Sequence, residues 1–337
     1  WRLGDVVHST PKLVAQPAEA FHTIYRDPSY SSFVKRHRFR RNVIYFGAND
    51  GMLHAVNGGF YKEKDNKFYK NMILADDTGE TTYNDSGPEL GTELWAYIPY
   101  NLQPHLKCLT DPLYGGDDGN SHKYFVDKEP RIFDMRIFTE EPVCATDPYD
   151  KNCIHPKGWG TILVGAMRFG GAPITAGTEG TWAATDNRQF ISSYFILDIT
   201  DPERPPKLLG EMTRTTEKDL SNASLYADLG FSTPMPSGVV MRGSDGTAAW
   251  YLVFGNGPTT IKGENSQIGK VAVLPMKLDA VSGVLENGFR IPDKPPSLAT
   301  KYTGVIPVQD DSTDLTKRFI SDLMTVDYDL EAKTDPT

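Results

Sequence analysis

One pattern constrains this chain more than any other: a series of short strands recurs three times along it, and a fourth series starts near the end. Ser9-Thr-Pro-Lys-Leu-Val14, Lys128-Glu-Pro-Arg-Ile-Phe133 and Ser232-Thr-Pro-Met-Pro-Ser237 open alike, with Ser321-Asp-Leu-Met-Thr-Val326 as a looser fourth copy. Self-similarity of this kind marks an architecture built from one supersecondary unit used several times.

After each of the first three openings comes an apolar run that ends in glycine: Val43-Ile-Tyr-Phe-Gly47, Thr161-Ile-Leu-Val-Gly165 and Trp250-Tyr-Leu-Val-Phe-Gly255. Branched and aromatic residues punctuated by Gly read as strands buried on both faces. A third strand follows at Met52-Leu-His-Ala-Val56, Tyr194-Phe-Ile-Leu-Asp198 and Lys270-Val-Ala-Val-Leu274. A fourth is expected at Leu94-Trp-Ala-Tyr-Ile98, Lys207-Leu-Leu-Gly-Glu211 and Val284-Leu-Glu-Asn-Gly-Phe289. Asn49-Asp-Gly51 supplies the positive φ that a hairpin turn between the second and third strands needs.

Four antiparallel strands repeated about every 100 residues are the signature of propeller blades carrying long insertions. The expected fold is therefore all-β, a β-propeller of four-stranded antiparallel blades. Its blades are expected at about residues 5–103, 124–212 and 230–291, with the start of a fourth at about 319–337. The competing reading is a β-sandwich. Thirty Gly, 24 Pro, 16 Tyr and 16 Phe favour strands and turns over long helices in either case. Since propellers close with roughly 4 to 8 blades, this chain is expected to hold an incomplete ring. It begins at Trp1 without an initiator Met or a signal peptide, so it is expected to be processed, trimmed or part of something longer. The insertions at 61–91, 111–122, 138–158 and 168–188 are polar and rich in Gly, Asp and Asn, and they are where partners are expected to touch.

A net charge of −9 repels polyanions, and the basic run Lys35 to Arg41 lacks interleaved aromatic platforms, so nucleic acid is not an expected partner. That run reads as a solvated loop. No stretch of about 18 apolar residues is present, which leaves no transmembrane segment. Cys144 and Cys153 bracket a short polar loop that can close as a disulfide in an oxidising compartment, leaving Cys108 over; three reduced thiols are the alternative. The histidines and cysteines form no zinc or haem spacing. His8 beside Ser9, and His54 within a strand, read as structural groups rather than catalysts; Asp117-Asp-Gly-Asn120 reads as a turn.

The sharpest chemical signal is Asp327-Tyr-Asp-Leu-Glu-Ala-Lys-Thr-Asp335, with carboxylates at positions 1, 3, 5 and 9 of nine residues. Alternate oxygens can wrap a hard cation, joined by the Lys333 carbonyl at position 7, and Ca²⁺ suits that donor set. The expected ligands are Asp327, Asp329, Glu331, Lys333 and Asp335. Glu331 is a methylene longer than Asp, and Ala332 stands where calcium loops usually have Gly; an acidic solvated loop is the alternative.

Gly4-Asp-Val-Val-His-Ser-Thr-Pro11 followed by Val43-Ile-Tyr-Phe-Gly-Ala-Asn-Asp-Gly-Met-Leu-His-Ala-Val56 closely resembles the opening of the C-terminal propeller of the PilY/PilC family of type IV pilus tip proteins. Gly158-Trp-Gly-Thr-Ile-Leu-Val-Gly-Ala-Met-Arg-Phe-Gly-Gly171 and Gly255-Asn-Gly257 extend the likeness over most of the chain. The resemblance implies a secreted, extracellular protein at the pilus tip that works with minor pilins, supports pilus assembly and adheres to a host-cell or abiotic surface. It also implies a Ca²⁺ loop that regulates extension and retraction, carried over onto Asp327, Asp329, Glu331, Lys333 and Asp335. On this reading the chain is not an enzyme. Two other readings share the fold: a quinoprotein-like dehydrogenase, which lacks adjacent cysteines and a Trp-docking repeat here, and a surface lectin or adhesin unconnected with pili.

Overall fold

The computed structural model describes residues 3–74, 81–115, 122–177, 187–213, 229–242, 248–261, 269–286, 305–307 and 319–324. Strands dominate it, in three successive antiparallel meanders. The first sheet takes β1 (Lys12–Val14), β2 (Asn42–Gly47) and β3 (Leu53–Lys62) in that order. From β3 the chain runs through β4 (Lys67–Tyr69), which extends the sheet, and through the separate hairpin of β5 (Asn71–Leu74) and β6 (Thr81–Asn84). It then returns as β7 (Glu93–Tyr97), which pairs with the first half of β3.

The second sheet is built from β8 (Arg131–Arg136) and β9 (Trp159–Ala166), a small outlying hairpin β10 (Ile174–Gly177) and β11 (Asn187–Phe190), then β12 (Ser193–Asp198) and β13 (Lys207–Thr213). Its order is β13-β12-β9-β8. The third sheet runs β14 (Ser237–Arg242), β15 (Ala248–Gly255), β16 (Lys270–Pro275) and β17 (Val305–Pro307), in sequence order. Among the described residues no helix is long and apolar enough to cross a membrane.

Alternation of side chains across each strand explains how the sheets assemble. All eight residues of β9 are buried, and so are the first five of β12, because the second sheet has a neighbour on each face. Leu163, Phe195 and Leu197 join Val43, Tyr45 and Leu53 of the first sheet in one core. Ile162, Val164, Tyr194 and Ile196 point the opposite way, into a second core with Leu252, Phe254 and Leu274 of the third sheet. Burying an Ile, Leu or Phe is worth about 1.5–3 kcal/mol each, so these two interfaces dominate the stabilisation of the stack. The result is an all-β, propeller-like arrangement of blades stacked in chain order.

The opening Ser-Thr-Pro segments lie before the first strands rather than inside them, since β1 starts at Lys12 and β14 only at Ser237. Proline has no N–H to give a ladder, and the serines do another job: Ser9 Oγ accepts from Gly47 N at 2.7 Å, and Ser232 Oγ from Met167 N at 3.1 Å. The Asp-Gly turn forms as expected, with Gly51 at φ +94°.

Two expectations fail locally. The strand that pairs with β16 is Val305–Pro307, whereas in the expected Val284–Phe289 segment residues 284–286 contribute an isolated bridge from Leu285 to Leu278 and residues 287–289 lie outside the described ones. The basic run Lys35 to Arg41 is not a solvated loop. It straddles the end of helix α2 (Pro28–His37), which follows the short helix α1 (Phe21–Ile24) in the insertion between β1 and β2. Asp27 caps α2, accepting from Ser29 N at 2.7 Å, Pro28 fits its first position, and Lys35 and Arg36 complement the dipole in the last turn. Tyr30, Phe33 and His37 form its buried face.

Candidate functional site

Among the described residues, the insertion between β1 and β2 and the insertion between β8 and β9 pack onto the sheets. In the insertion between β8 and β9, a short helix α3 (Pro142–Thr146) leads into a loop closed by a disulfide between Cys144 and Cys153, with the Cα atoms 4.9 Å apart. Glu141 lies beside both sulfurs. A carboxylate and two sulfurs can hold a metal, but here the sulfurs are bonded to each other. The Glu141 carboxylate is also taken, accepting from Ile154 N at 3.1 Å, His155 N at 2.8 Å and His155 Nδ1 at 2.7 Å. The group is a structural staple.

His155 stacks on Phe138 with ring centroids 4.0 Å apart and donates from Nε2 to Asp198 at 3.1 Å, at the end of β12. Burial alone lowers its pKa, but the bonds to Asp198 and Glu141 outweigh that and raise it to about 9. His155 is thus an imidazolium at neutral pH, clamped between two carboxylates. His54 repeats the arrangement in the first sheet, donating to Glu93 at 2.6 Å and Asp50 at 3.1 Å, and its pKa is likewise raised against the effect of burial. Neither imidazole has a free ring nitrogen for catalysis. His8 bonds Asp127 at 2.7 Å, and Ser9 Oγ accepts from Gly47 N at 2.7 Å.

A cavity of about 260 Å³ opens between β1 and β8, with Lys12, Glu19, Arg40, Arg131, Asp134 and Thr161 among its lining. Its most buried polar groups serve the seam between blades. Asp134 accepts from Tyr30 Oη at 2.7 Å and Thr161 Oγ1 at 2.6 Å. Arg40 donates to Ala15 O, to Thr161 Oγ1 at 2.8 Å and to Thr200 O at 3.4 Å. Arg41, 4% exposed, makes a bidentate pair with Glu203 at 2.7 and 3.1 Å and reaches Asn57 Oδ1 at 2.9 Å. Two arginines from the basic run therefore join the first sheet to loops of the second.

Two of the entries into a new blade, after β2 and after β15, follow one rule. Asn49, just past β2, accepts Phe125 N at 3.0 Å; Asn256, just past β15, accepts Ile320 N at 2.9 Å. The glycines that end those strands let the incoming chain pass directly over them: a Cβ at Gly47 would lie 2.2 Å from Val126 O, and one at Gly255 2.1 Å from Ile320 O. Beyond Ile320, Asp322 accepts Met235 N at 2.6 Å and Leu323 O accepts from Ser237 Oγ at 3.0 Å. The chain is thus held on the third sheet until just before the acidic segment. Asp327, Asp329, Glu331, Lys333 and Asp335 themselves lie outside the described residues, as do Asp117 to Asn120.

The sequence has relatives of stated function. A type IV pilus biogenesis factor PilY1 homolog of Xylella fastidiosa (strain Temecula1) is 26% identical over 292 residues, which is 84% of this chain and 17% of that protein. The type IV pilus biogenesis factor PilY1 of Pseudomonas aeruginosa (strain PAO1) is 26% identical over 293 residues, again 84% of this chain and 17% of the relative. The chain is thus similar to PilY1 proteins over most of its length.

A second X. fastidiosa PilY1 homolog is 24% identical over 272 residues, 77% of this chain and 12% of that protein. The chain therefore spans 17% or less of the length of these curated relatives. No protein-family model and no solved structure matches it.

The helical insertion and the disulfide-closed loop are the parts of this surface that residue patterns miss or leave open. A capping signal for α2 is present in Asp27-Pro28-Ser29, with Lys35, Arg36 and His37 seven to nine residues beyond Pro28.

Proposed function

We propose that this PilY1-like chain is part of a type IV pilus biogenesis factor and that it works by binding, without making or breaking bonds. The observation that carries the reading is the 26% identity to PilY1 proteins along 84% of the chain. The blades form a rigid support, and the insertions on it meet minor pilins of the pilus tip complex and a host-cell or abiotic surface. An extracellular place is supported by the Cys144–Cys153 disulfide, which persists in oxidising compartments.

Ca²⁺ enters the reading through the acidic segment. Four carboxylates, at Asp327, Asp329, Glu331 and Asp335, with the Lys333 carbonyl between the last two, are a hard-oxygen donor set of the kind that cation takes. The segment comes directly after residues 320–323, which are bonded to the third sheet, so an ion held there would stiffen the chain where it enters the next blade. On this proposal calcium modulates pilus extension and retraction through that stiffening.

Two experiments test the reading. Pili sheared from the source bacterium should carry the protein, and the sheared fraction should lose it when the major pilin is deleted; recovery that ignores pilin would refute the pilus association. Calorimetric titration with CaCl₂ should give saturable heat that Asp327→Ala abolishes, and identical traces for parent and variant would rule out calcium binding at this segment.

A further inference from the structure

We infer that the Cys144–Cys153 disulfide is a latch for the C-terminal half of α2, and through it for the joint between the first and second sheets. Two main-chain acceptors on the disulfide loop grip that half of the helix. Arg36 Nε donates to Cys153 O at 2.8 Å, and His37 Nε2 donates to Ile154 O at 2.8 Å. Burial, aided by Arg40 and Arg36 nearby, keeps the His37 pKa well below its ordinary value, so the ring is neutral and its Nε2 proton is committed to that carbonyl.

The position of both acceptors depends on the bridge. One acceptor belongs to a bonded cysteine and the other to the residue after it, and the bridge closes a separation of nine residues. Cys153 is fully buried and Cys144 nearly so, which places the sulfurs beneath the loop and makes it a firm seat. The other half of α2 is held independently. Trp159 Nε1 donates to Ser29 Oγ at 2.8 Å, and Tyr30 bonds Asp134 and meets the Trp159 ring edge-on at 4.8 Å.

The latched end of the helix leads straight into the seam. Three residues past His37 come Arg40 and then Arg41, which bond Thr161, Thr200 and Glu203 of the second sheet and its loops. Opening the bridge therefore frees the helix end that positions both arginines, while the strand ladders and the two apolar cores stay in place. Reduction by a dithiol would deliver two electrons to the S–S bond; both sulfurs take up protons as thiols and the reductant closes to its cyclic disulfide. In an oxidising compartment the latch stays shut.

The test is limited trypsin digestion of the full chain, with cut sites mapped by mass spectrometry. Lys35, Arg36 and Arg38 lie in or beside the latched turn, and the oxidised protein should resist cleavage there. In Cys144→Ser/Cys153→Ser, or in folded protein reduced by dithiothreitol, cleavage after these residues should rise at least about tenfold, since cleavage follows the population of the locally opened state. Cleavage after Arg40 and Arg41, and after Lys151 inside the opened loop, should rise with it, while the far-UV β signal and the cutting rate at all other sites should stay as they were. Arg36→Gln with the disulfide intact should give a smaller rise at the remaining sites, Lys35 and Arg38. Equal rates in oxidised and reduced protein would overturn the latch. So would acceleration across the whole chain, which would make the bridge a support of the entire fold, or an Arg36→Gln variant cut at Lys35 and Arg38 no faster than the parent.

Discussion

Tyr194 and Phe195 are neighbours in β12, yet their rings belong to different interfaces: Tyr194 lies 4.8 Å from Phe254 of the third sheet, and Phe195 lies 5.3 Å from Tyr97 of the first. Strand alternation turns one step along the chain into contact with the opposite blade. Double-mutant cycles in urea unfolding should give coupling of about 0.5–1.5 kcal/mol for Tyr194 with Phe254 and for Phe195 with Tyr97. The crossed pair, Phe195 with Phe254, should couple negligibly. Equal coupling for all three pairs would contradict the stacking.

Gly47 and Gly255 end equivalent strands for the same steric reason, each leaving room for the backbone entering the next blade. Gly47→Ala should cost about 2–3 kcal/mol, because the obstacle at Val126 is main chain and cannot swing away. Gly255→Ala, facing Ile320 O, should cost a similar amount. Shifts in the denaturation midpoint at constant slope are the readout.

Tyr30 bonds Asp134 from inside the seam, and both are buried. Tyr30→Phe keeps the ring contacts with Trp159 and removes one donor to a buried carboxylate, which retains the Thr161 hydroxyl. The expected loss is about 1–3 kcal/mol, and Asp134→Ala should lose more by leaving two buried hydroxyls without their acceptor.

His155 makes stability depend on pH with a definite sign. Its folded pKa, raised to about 9 from 6.5, means that its contribution is complete below about 6.5 and is lost as pH climbs through about 9. The magnitude is about 3 kcal/mol at most. Asp198 and Glu141, whose pKa values are lowered by bonding to His155 despite the opposing effect of burial, act on the acid side: their contribution is present above their ordinary pKa and disappears as pH falls through the lowered one. Thermal melts across pH 5 to 10 should show the alkaline decline in the parent, and His155→Gln should flatten it.

The ladders are legible in the residues because their signals are local. Val43 to Gly47, Thr161 to Gly165 and Trp250 to Gly255 are apolar runs closed by glycine, and the observed strands β2, β9 and β15 contain them. The last strand of the third sheet is misplaced by pattern because Val284-Leu-Glu-Asn-Gly-Phe289 is nearest in sequence, while pairing with β16 is decided by tertiary packing that a run of six residues does not encode. Arg40 and Arg41 read as surface charges because nothing in their own neighbourhood announces Thr161, Thr200 or Glu203, over a hundred residues away. Of the site residues, the staple cysteines are visible as a spacing, whereas His155 between Glu141 and Asp198 has no pattern at all.

If this chain belongs to a pilus-building protein, the number of pili on the cell surface must depend on it, and counting them tests that most directly. Deleting the gene in the source bacterium should leave cells bald or nearly so under electron microscopy, with the parent gene restoring them and a copy lacking the segment for residues 1–337 failing to do so. Normal pilus numbers in the deletion strain, or full rescue by the truncated copy, would contradict it.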